Sequence, residues 1–375
     1  MTCCKQTFTF ADRDHPLLLD SGQNLWPVTL AYETWGELNS DKTNAILVLH
    51  AFSGDSHVAS HPEDDFSDNG PGWWEAMVGS GKGIDTDKYF VICSNILGSC
   101  CGSTGPGDEN PITGKRYGLD FPLVTIADMV RAQRALIDFL GIDVLYGVVG
   151  GSVGGMQVLQ WCVSYPDMVR SAIPLATTMR HSALCIAFNE VARQSIMIDP
   201  KWQKGSYSDE EPPELGLAVA RMIGHITYLS DQAMHRKFGR KLQGRDAFSF
   251  GFESDFQVES YLNYQGAKFV RRFDANSLLY ITKAADYFDL DKEENPEINR
   301  LNSSTTKFLV ISFTSDWLYP TYQSRELVQA LKRNGCDVCF CEIQADCGHD
   351  AFLLPDEHLT SMISGFLEGV ENSCR

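Results

Sequence analysis

Ser152 is the residue whose surroundings most suggest chemistry. It lies in GVVGGSVGGMQ (147–157), where five of eleven residues are glycine. Glycine in a helix or strand costs roughly 0.5–1 kcal/mol relative to alanine, so such a cluster needs a reason. Two interpretations are open: the glycines serve only a tight, closely packed turn, or they present Ser152 as a nucleophile. Residues 150–154 match G-x-S-x-G, in which a strained strand-to-helix turn exposes the serine hydroxyl.

A serine hydroxyl becomes a useful nucleophile only when a histidine takes its proton and a carboxylate orients that histidine. In the strand–turn–helix setting, the acid and the histidine follow the serine in that order, each just beyond a later strand. Asp316 in SFTSDWLYP and His349 in ADCGHDAFL occupy such positions, whereas Asp346, the alternative acid, lies in the histidine's own loop. The pattern predicts a catalytic triad of Ser152, Asp316 and His349, against the alternative that these residues are structural.

An acyl-transfer site also needs two backbone N–H donors for the oxyanion of its tetrahedral intermediate. The residue after the nucleophile, Val153, supplies one of them. The other comes from the loop after an early strand, and Phe52 in LHAFSGDSH (49–57) is the predicted donor. His50 and His57 in the same segment are interpreted as packing or hydrogen-bonding residues rather than catalytic ones.

Three further residues indicate what accepts the acyl group. Asp350 follows the candidate catalytic histidine directly and would suit an acceptor that carries an ammonium group. In AVARMIGHITYL, Arg221 and Tyr228 share a helical face, and Gly224 between them leaves room for a small molecule. An arginine there can bind a carboxylate, or it can pair with a surface acid, and spacing alone does not decide. If water were the acceptor, the protein would be an esterase.

The twelve cysteines predict neither a metal site nor a disulfide framework. Cys336, Cys339, Cys341 and Cys347 lie close to His349 in the sequence. Structural zinc sites usually combine two separated ligand pairs, and no partner pair is evident here. The segment GCDVCFCEIQ (335–344) is instead interpreted as a buried strand, with free thiols in a reducing compartment. No metal and no cofactor is therefore expected.

The elements that would position these residues alternate between strands and helices. Residues 45–52 and 88–95 are continuously apolar, as strands buried on both faces are, whereas 25–36 alternates like a half-exposed antiparallel strand. Further strands are predicted at 144–150, 306–313 and 338–344, and helices at 124–142, 156–166, 324–335 and 357–370.

This alternation predicts an α/β protein with a mostly parallel central sheet and helices on both faces. The rhythm lapses between about 178 and 300, where helical and charged segments predict a lid over the carboxyl edge of the sheet. The predicted domains are a core of residues 1–177 and 301–375 and a helical lid of residues 178–300.

Charge and composition exclude several classes of partner. The net charge is −18, from 49 acidic and 31 basic residues, and such a surface repels nucleic acid and anionic membranes. The basic segment 235–245 is interpreted as a solvated surface turn rather than an anion site. No signal-peptide pattern begins the sequence and no apolar run approaches the ~20 residues of a membrane span, so a soluble intracellular protein is expected.

The chain resembles the homoserine O-acetyltransferase family of the α/β-hydrolase superfamily over nearly its full length. The resemblance implies the α/β-hydrolase fold and the triad named above. It also implies that Arg221 and Asp350 contact the carboxylate and amine of homoserine, and that Tyr228 lines that pocket. The segments that carry it are, in order, LAYETWGELN, HAFSGDSHV, PGWWEAMVGSGKGIDTDKYFVICSN, GSTGP, NPITGKRYGLDFP, GGSVGGMQ, FNEVARQSI, SDWLYP and GHDAFL.

The same resemblance implies a ping-pong reaction with acetyl-CoA as co-substrate, cytoplasmic methionine biosynthesis and a homodimer. Val153 stands where the family usually has Met, and Phe52 where it usually has Leu. Val153 acts through its backbone, whereas Phe52 flanks the acyl pocket and leaves acyl length open. Succinyl-CoA as donor, L-serine as acceptor, a plain esterase and a non-catalytic binding protein are the alternatives.

Overall fold

An eight-stranded sheet forms the centre of the molecule in the computed structural model, which describes residues 5–61, 70–294, 296–302 and 304–372. The spatial order is β1-β2-β4-β3-β5-β6-β7-β8, and within this sheet β2 alone runs antiparallel to its neighbours. The strands are β1 (Gln6–Phe10), β2 (Val28–Trp35), β3 (Ala45–Leu49), β4 (Phe90–Ser94), β5 (Gly147–Gly151), β6 (Ser171–Leu175), β7 (Lys307–Phe313) and β8 (Asp337–Ile343).

Both faces of the sheet are buried, which explains the continuous apolar runs. In β3, Leu47 and Leu49 point into one hydrophobic core, whereas Ile46 and Val48 point into the other. This division follows from the two-residue side-chain period of a strand. Helices α1, α2 and α8 pack on the first face and α9 on the second. The predicted fold class, a mostly parallel sheet between helical layers, is confirmed.

Nine α-helices are described. No described helix combines the length with the apolar composition that a membrane span requires. They are α1 (Ile126–Phe139), α2 (Val153–Ser164), α3 (Ala183–Met197), α4 (Glu214–Tyr228), α5 (Asp231–Lys237), α6 (Gln257–Val270), α7 (Ala275–Asp286), α8 (Thr321–Arg333) and α9 (Glu357–Asn372).

Two strands differ from their predicted burial. β2 is not half-exposed: it lies between β1 and β4, and only Thr29 and Thr34 in it are partly exposed. β8 is not a buried strand, because it pairs with β7 alone and Cys339 on it is exposed. The strand β6 was not predicted, since Pro174 in its middle is a residue that central strands usually exclude.

Helices α3 to α7 lie between β6 and β7 in the chain. The two ends of this insertion meet in an antiparallel bridge between Arg180 and Asp289. On either side of the bridge, the His181 N–H donates to the Phe288 carbonyl at 3.0 Å and the Leu290 N–H to the Met179 carbonyl at 2.9 Å. The division into a core of 1–177 and 301–375 and a lid of 178–300 stays a prediction.

Candidate active site

Ser152 occupies the turn between β5 and α2. Its φ of 58° and ψ of −124° lie in a region that residues other than glycine rarely adopt. Two contacts hold this turn in place: the Ser152 N–H donates to the Leu175 carbonyl at 3.0 Å, and Thr177 Oγ1 donates to the Ser152 carbonyl at 2.8 Å. The strained turn that G-x-S-x-G predicts is therefore present, on the strand and helix expected to flank it.

The neighbouring glycines allow close packing. A Cβ on Gly154 would lie 2.1 Å from the Leu49 carbonyl oxygen, and one on Gly151 would lie 2.4 Å from the Phe352 ring. A Cβ on Gly155 would lie 2.6 Å from the Thr177 side chain. None of these three glycines has a positive φ. The glycines thus provide the space for close packing, while Ser152 itself carries the backbone strain. The role of Ser152 as a nucleophile stays a prediction.

Asp316 and His349 form a buried pair beyond the ends of β7 and β8. His349 Nδ1 donates to Asp316 Oδ2 at 2.8 Å. Asp316 Oδ1 accepts the N–H groups of Leu318 and Tyr319 at 3.0 and 2.9 Å, which fixes the carboxylate. Burial alone would lower the pKa of His349, but the charge and hydrogen bond of Asp316 and the charge of Asp350 raise it. The histidine is oriented as a general base requires.

No hydrogen bond joins the Ser152 hydroxyl to His349 among the described residues. The hydroxyl lies beside the Tyr319 phenol: burial raises the pKa of Tyr319 well above its usual range, and the Ser152 hydroxyl opposes that rise. The Tyr319 ring is also 5.2 Å from the His349 ring. Catalytic hydrogen bonds are often long in unliganded sites, and here Tyr319 adjoins both partners.

The two predicted oxyanion donors face the same space as the serine. Phe52 and Val153 both line the cavity above Ser152, and neither backbone N–H donates to another described group. His50 has a structural role, because its ring bonds to the Ala51 carbonyl at 2.8 Å and accepts the Ile96 N–H at 3.1 Å.

Arg221 and Ser152 line the same cavity. Arg221 Nη1 donates to Ser53 Oγ at 3.2 Å, and the guanidinium lies 4.7 Å from the centre of the Phe269 ring and 5.7 Å from that of Tyr228. Arg221 forms no ion pair with any described carboxylate. The alternative that it pairs with a surface acid therefore does not hold among the described residues.

Of the other two predicted acceptor contacts, Tyr228 lines the cavity with Arg221, whereas Asp350 is not part of that lining. Burial raises the pKa of Asp350, while the charges of His349 and Arg221 oppose that rise. A Cβ on Gly224 would lie 3.2 Å from the Tyr228 ring, so this glycine makes room for that ring as well as lining the cavity. The residue that sequence reasoning missed is Tyr319, although it stands only three positions after Asp316 in SDWLYP.

The cysteines near His349 do not gather into a metal site. Cys339 is exposed and Cys336 is buried, and no metal-ligating group found among the described residues contains a cysteine. In the basic segment 235–245, Arg236 pairs with Asp346. Arg245 Nη1 lies 2.8 Å from Asp255 Oδ1.

Comparison with known proteins decides the family. A family model described as the alpha/beta hydrolase fold matches residues 44–356. Homoserine O-acetyltransferase of Desulfotalea psychrophila is 62% identical over 369 residues, which cover 98% of this chain and 94% of that protein. The chain belongs to the homoserine O-acetyltransferase family. The homoserine O-acetyltransferase of Solidesulfovibrio magneticus is 60% identical over 97% of this chain and 92% of its own length.

Solved structures agree with this homoserine O-acetyltransferase fold. The enzyme of that name from Bacillus anthracis superposes with a TM-score of 0.87 at 30% identity, covering 97% of each chain. A solved esterase superposes with a TM-score of 0.86 at 31% identity, covering 97% of this chain and 99% of its own. The predicted family and the α/β-hydrolase fold are thus confirmed.

Proposed function

We propose that this protein transfers the acetyl group of acetyl-CoA to the hydroxyl of L-homoserine, giving O-acetyl-L-homoserine and CoA. One observation carries the proposal: a strained serine lines a cavity that contains an arginine without an ion-pair partner among the described carboxylates, and a buried His–Asp pair packs against Tyr228 and Tyr319 of the same lining. This combination provides acyl transfer together with a cation for an amino-acid carboxylate.

The first half-reaction forms an acetyl-enzyme. Rotation of the Ser152 side chain away from Tyr319 brings its hydroxyl to His349, which takes the proton as Oγ attacks the thioester carbonyl. The N–H groups of Phe52 and Val153 stabilise the oxyanion. When the tetrahedral intermediate collapses, the C–S bond breaks and His349 returns the proton to the departing CoA sulfur. Acetyl-CoA is a co-substrate, and no step uses a cofactor.

The second half-reaction transfers the acetyl group to homoserine. Arg221 binds the homoserine carboxylate and Asp350 its ammonium group, while Tyr228 lines the pocket. His349 then removes the proton of the homoserine hydroxyl as that oxygen attacks the acetyl carbonyl, and Ser152 regains its proton when the ester leaves. Asp316 holds the imidazole in the same tautomer throughout.

Two features bear on the alternatives. Arg221 is the only Lys or Arg among the described residues that line the cavity, and binding of the homoserine carboxylate already uses it. A second cation for the distal carboxylate of a succinyl group is absent from that lining, which favours acetyl-CoA. The esterase remains a second candidate, because the solved esterase has the same fold over nearly its whole length.

Crossed steady-state kinetics test the proposal. Acetyl-CoA and succinyl-CoA are each assayed with L-homoserine, L-serine and water as acceptors, and CoA release is followed. We expect the highest kcat/KM for acetyl-CoA with homoserine, and no sustained CoA release without an amino acid. We expect Ser152→Ala to lose activity by at least about ten thousand-fold, since the covalent step then has no acceptor.

Ser361→Ala, on the surface of α9, is the matched control and should keep wild-type kinetics. Continuous CoA release with water alone would instead establish the esterase. Acetyl transfer that survives in Ser152→Ala would contradict the covalent mechanism.

We infer from the family resemblance that the protein acts in cytoplasmic methionine biosynthesis as a homodimer. The surface of the lid supports the dimer. Leu215, Val219 and Ile226 form an exposed apolar stripe along α4, and Leu184 and Val191 are exposed on α3, which packs against α4. Exposed apolar stripes on adjoining helices are typical of an interface.

A further inference from the structure

Three side chains outside the cavity converge on one point. Glu33 comes from β2, whereas His57 and His61 come from the segment that follows β3. Glu33 Oε2 lies 2.9 Å from His57 Nδ1 and 3.2 Å from His61 Nε2. The three ligand atoms all lie within 4.8 Å of one another. A carboxylate and two imidazoles are a ligand set that transition metals prefer.

The surrounding structure holds the three groups in place. Glu33 is only 2% exposed, and Ser56 Oγ donates to its other oxygen, Oε1, at 2.7 Å. The His61 ring stacks on the Trp35 ring, with centroids 4.7 Å apart and planes 11° from parallel. Supporting contacts of this kind orient the ligands of a metal site.

The backbone of His57 is fixed as well. Its N–H donates to Asp55 Oδ1 at 2.9 Å, and its carbonyl accepts the Trp73 N–H at 3.0 Å. Asp55 also places a second carboxylate beside the group. The two histidines are therefore presented by an anchored segment rather than by a free loop.

We propose that Glu33, His57 and His61 bind one divalent transition-metal ion, with Zn²⁺ as the representative. The ion would be structural and would tie the segment of residues 50–61 to β2. That segment carries Phe52, the proposed oxyanion donor, so the ion would act on the reaction only by holding this backbone. The competing arrangement has two imidazole N–H groups donating to Glu33 with no ion, and the same distances suit it.

Metal titration of the full-length, tag-free protein distinguishes the two arrangements. The protein is treated with a chelator, dialysed and titrated with Co²⁺, whose visible absorption reports nitrogen and oxygen ligation, and Zn²⁺ then displaces it. We expect saturation near one equivalent per chain and a higher Tm with Zn²⁺. Absence of saturable binding in this wild-type titration would overturn the proposal.

Variants then assign the ligands. We expect His61→Ala and Glu33→Gln each to weaken Co²⁺ binding by more than the ~10–100-fold typical of losing an outer-shell partner. His358→Ala, which removes an exposed histidine from α9, should bind as the wild type does. Equal affinity in His61→Ala and in the wild type would place the ion elsewhere and contradict the assignment. Circular dichroism of each apoprotein shows whether it remains folded.

Discussion

At the scale of single residues, the charge arrangement around His349 sets when the base is active. Asp316 bonds to one ring nitrogen and Asp350 adjoins the same residue, and both charges raise the pKa of His349. Proton transfer from Ser152 needs the neutral imidazole, so a raised pKa moves the onset of activity to higher pH. Asp350 would therefore act in both half-reactions, through charge in the first and through contact with the acceptor in the second.

Asp350→Asn tests this role without involving the acceptor. The rate of the first CoA release is measured against pH with acetyl-CoA alone. We expect the acidic limb of the profile to move to lower pH, because removing the carboxylate charge lowers the pKa of His349. Asp337→Asn, an exposed carboxylate at the start of β8, controls for the change in net charge. A limb that moves equally in both variants, or to higher pH in Asp350→Asn, would contradict the argument.

The order Ser152, Asp316, His349 could be predicted because each residue follows a recognisable strand. Tyr319 and Glu33 could not be predicted in the same way. The contact of Tyr319 with Ser152 depends on how the turn after β7 folds. Glu33 on β2 meets His57 and His61, which follow β3, although β4 lies between these two strands in the sheet. Contacts of this kind depend on strand order, which local sequence patterns do not contain.

At the scale of elements, the close approach of β3 and α2 positions Ser152, the proposed nucleophile. Gly154 is in the first turn of α2, and its missing side chain lets the helix lie against the Leu49 carbonyl. Any side chain at this position forces α2 away from β3 and carries Val153 and its N–H with it. The position of the Val153 N–H, a proposed oxyanion donor, therefore depends on glycine at position 154, where alanine would add a methyl group.

Gly154→Ala should lower both stability and activity. Relief of the 2.1 Å contact requires a backbone shift, and overpacking typically costs about 1–3 kcal/mol of unfolding free energy. Urea denaturation and kcat/KM measure the two effects. In Gly365→Ala, the added methyl group meets nothing within 4 Å on α9, so that control should gain about 0.5–1 kcal/mol. An equal gain in Gly154→Ala would show that the contact does not constrain the turn.

Predictions of elements succeeded where apolar periodicity was strong, as in α1, α2 and β3. They were wrong about β8 because an edge strand with apolar and cysteine residues has the composition of a buried one, and pairing on a single side is not visible in the sequence. The strand β6 was not predicted, because central strands usually exclude proline and this strand contains Pro174.

At the scale of the whole molecule, a strongly acidic chain carries exposed apolar stripes on α3 and α4. The net charge of −18 opposes association, so any self-association must bury enough apolar surface to outweigh that repulsion. Among the described residues, the exposed apolar stripes on α3 and α4 lie on adjoining helices and provide surface that self-association would bury.

The double substitution Leu215→Asp and Val219→Asp should abolish the dimer, because it places two charges within the apolar stripe. Light scattering after size exclusion should give twice the 41.8 kDa chain mass for the wild type and the single-chain mass for the variant. Leu18→Asp, an exposed leucine outside the lid, is the control and should stay dimeric. A wild-type mass of one chain would contradict the inferred assembly.

The bridge between Arg180 and Asp289 has a consequence for how this architecture changes its chemistry. The two segments around Arg180 and Asp289 are hydrogen-bonded to each other at the base of the helical insertion. The residues between these two segments therefore form one long hairpin loop. Replacing this loop would leave the order and direction of the sheet strands as they are, but it would remove the bridge between Leu229 and Gly348 and the hydrogen bond from Trp317 Nε1 to the Leu229 carbonyl. Grafting the corresponding region of an esterase between these two segments would keep Ser152, Asp316 and His349 while removing Arg221. Since Asp350 lies outside the insertion, the graft would remove one of the two proposed charged acceptor contacts and keep the other.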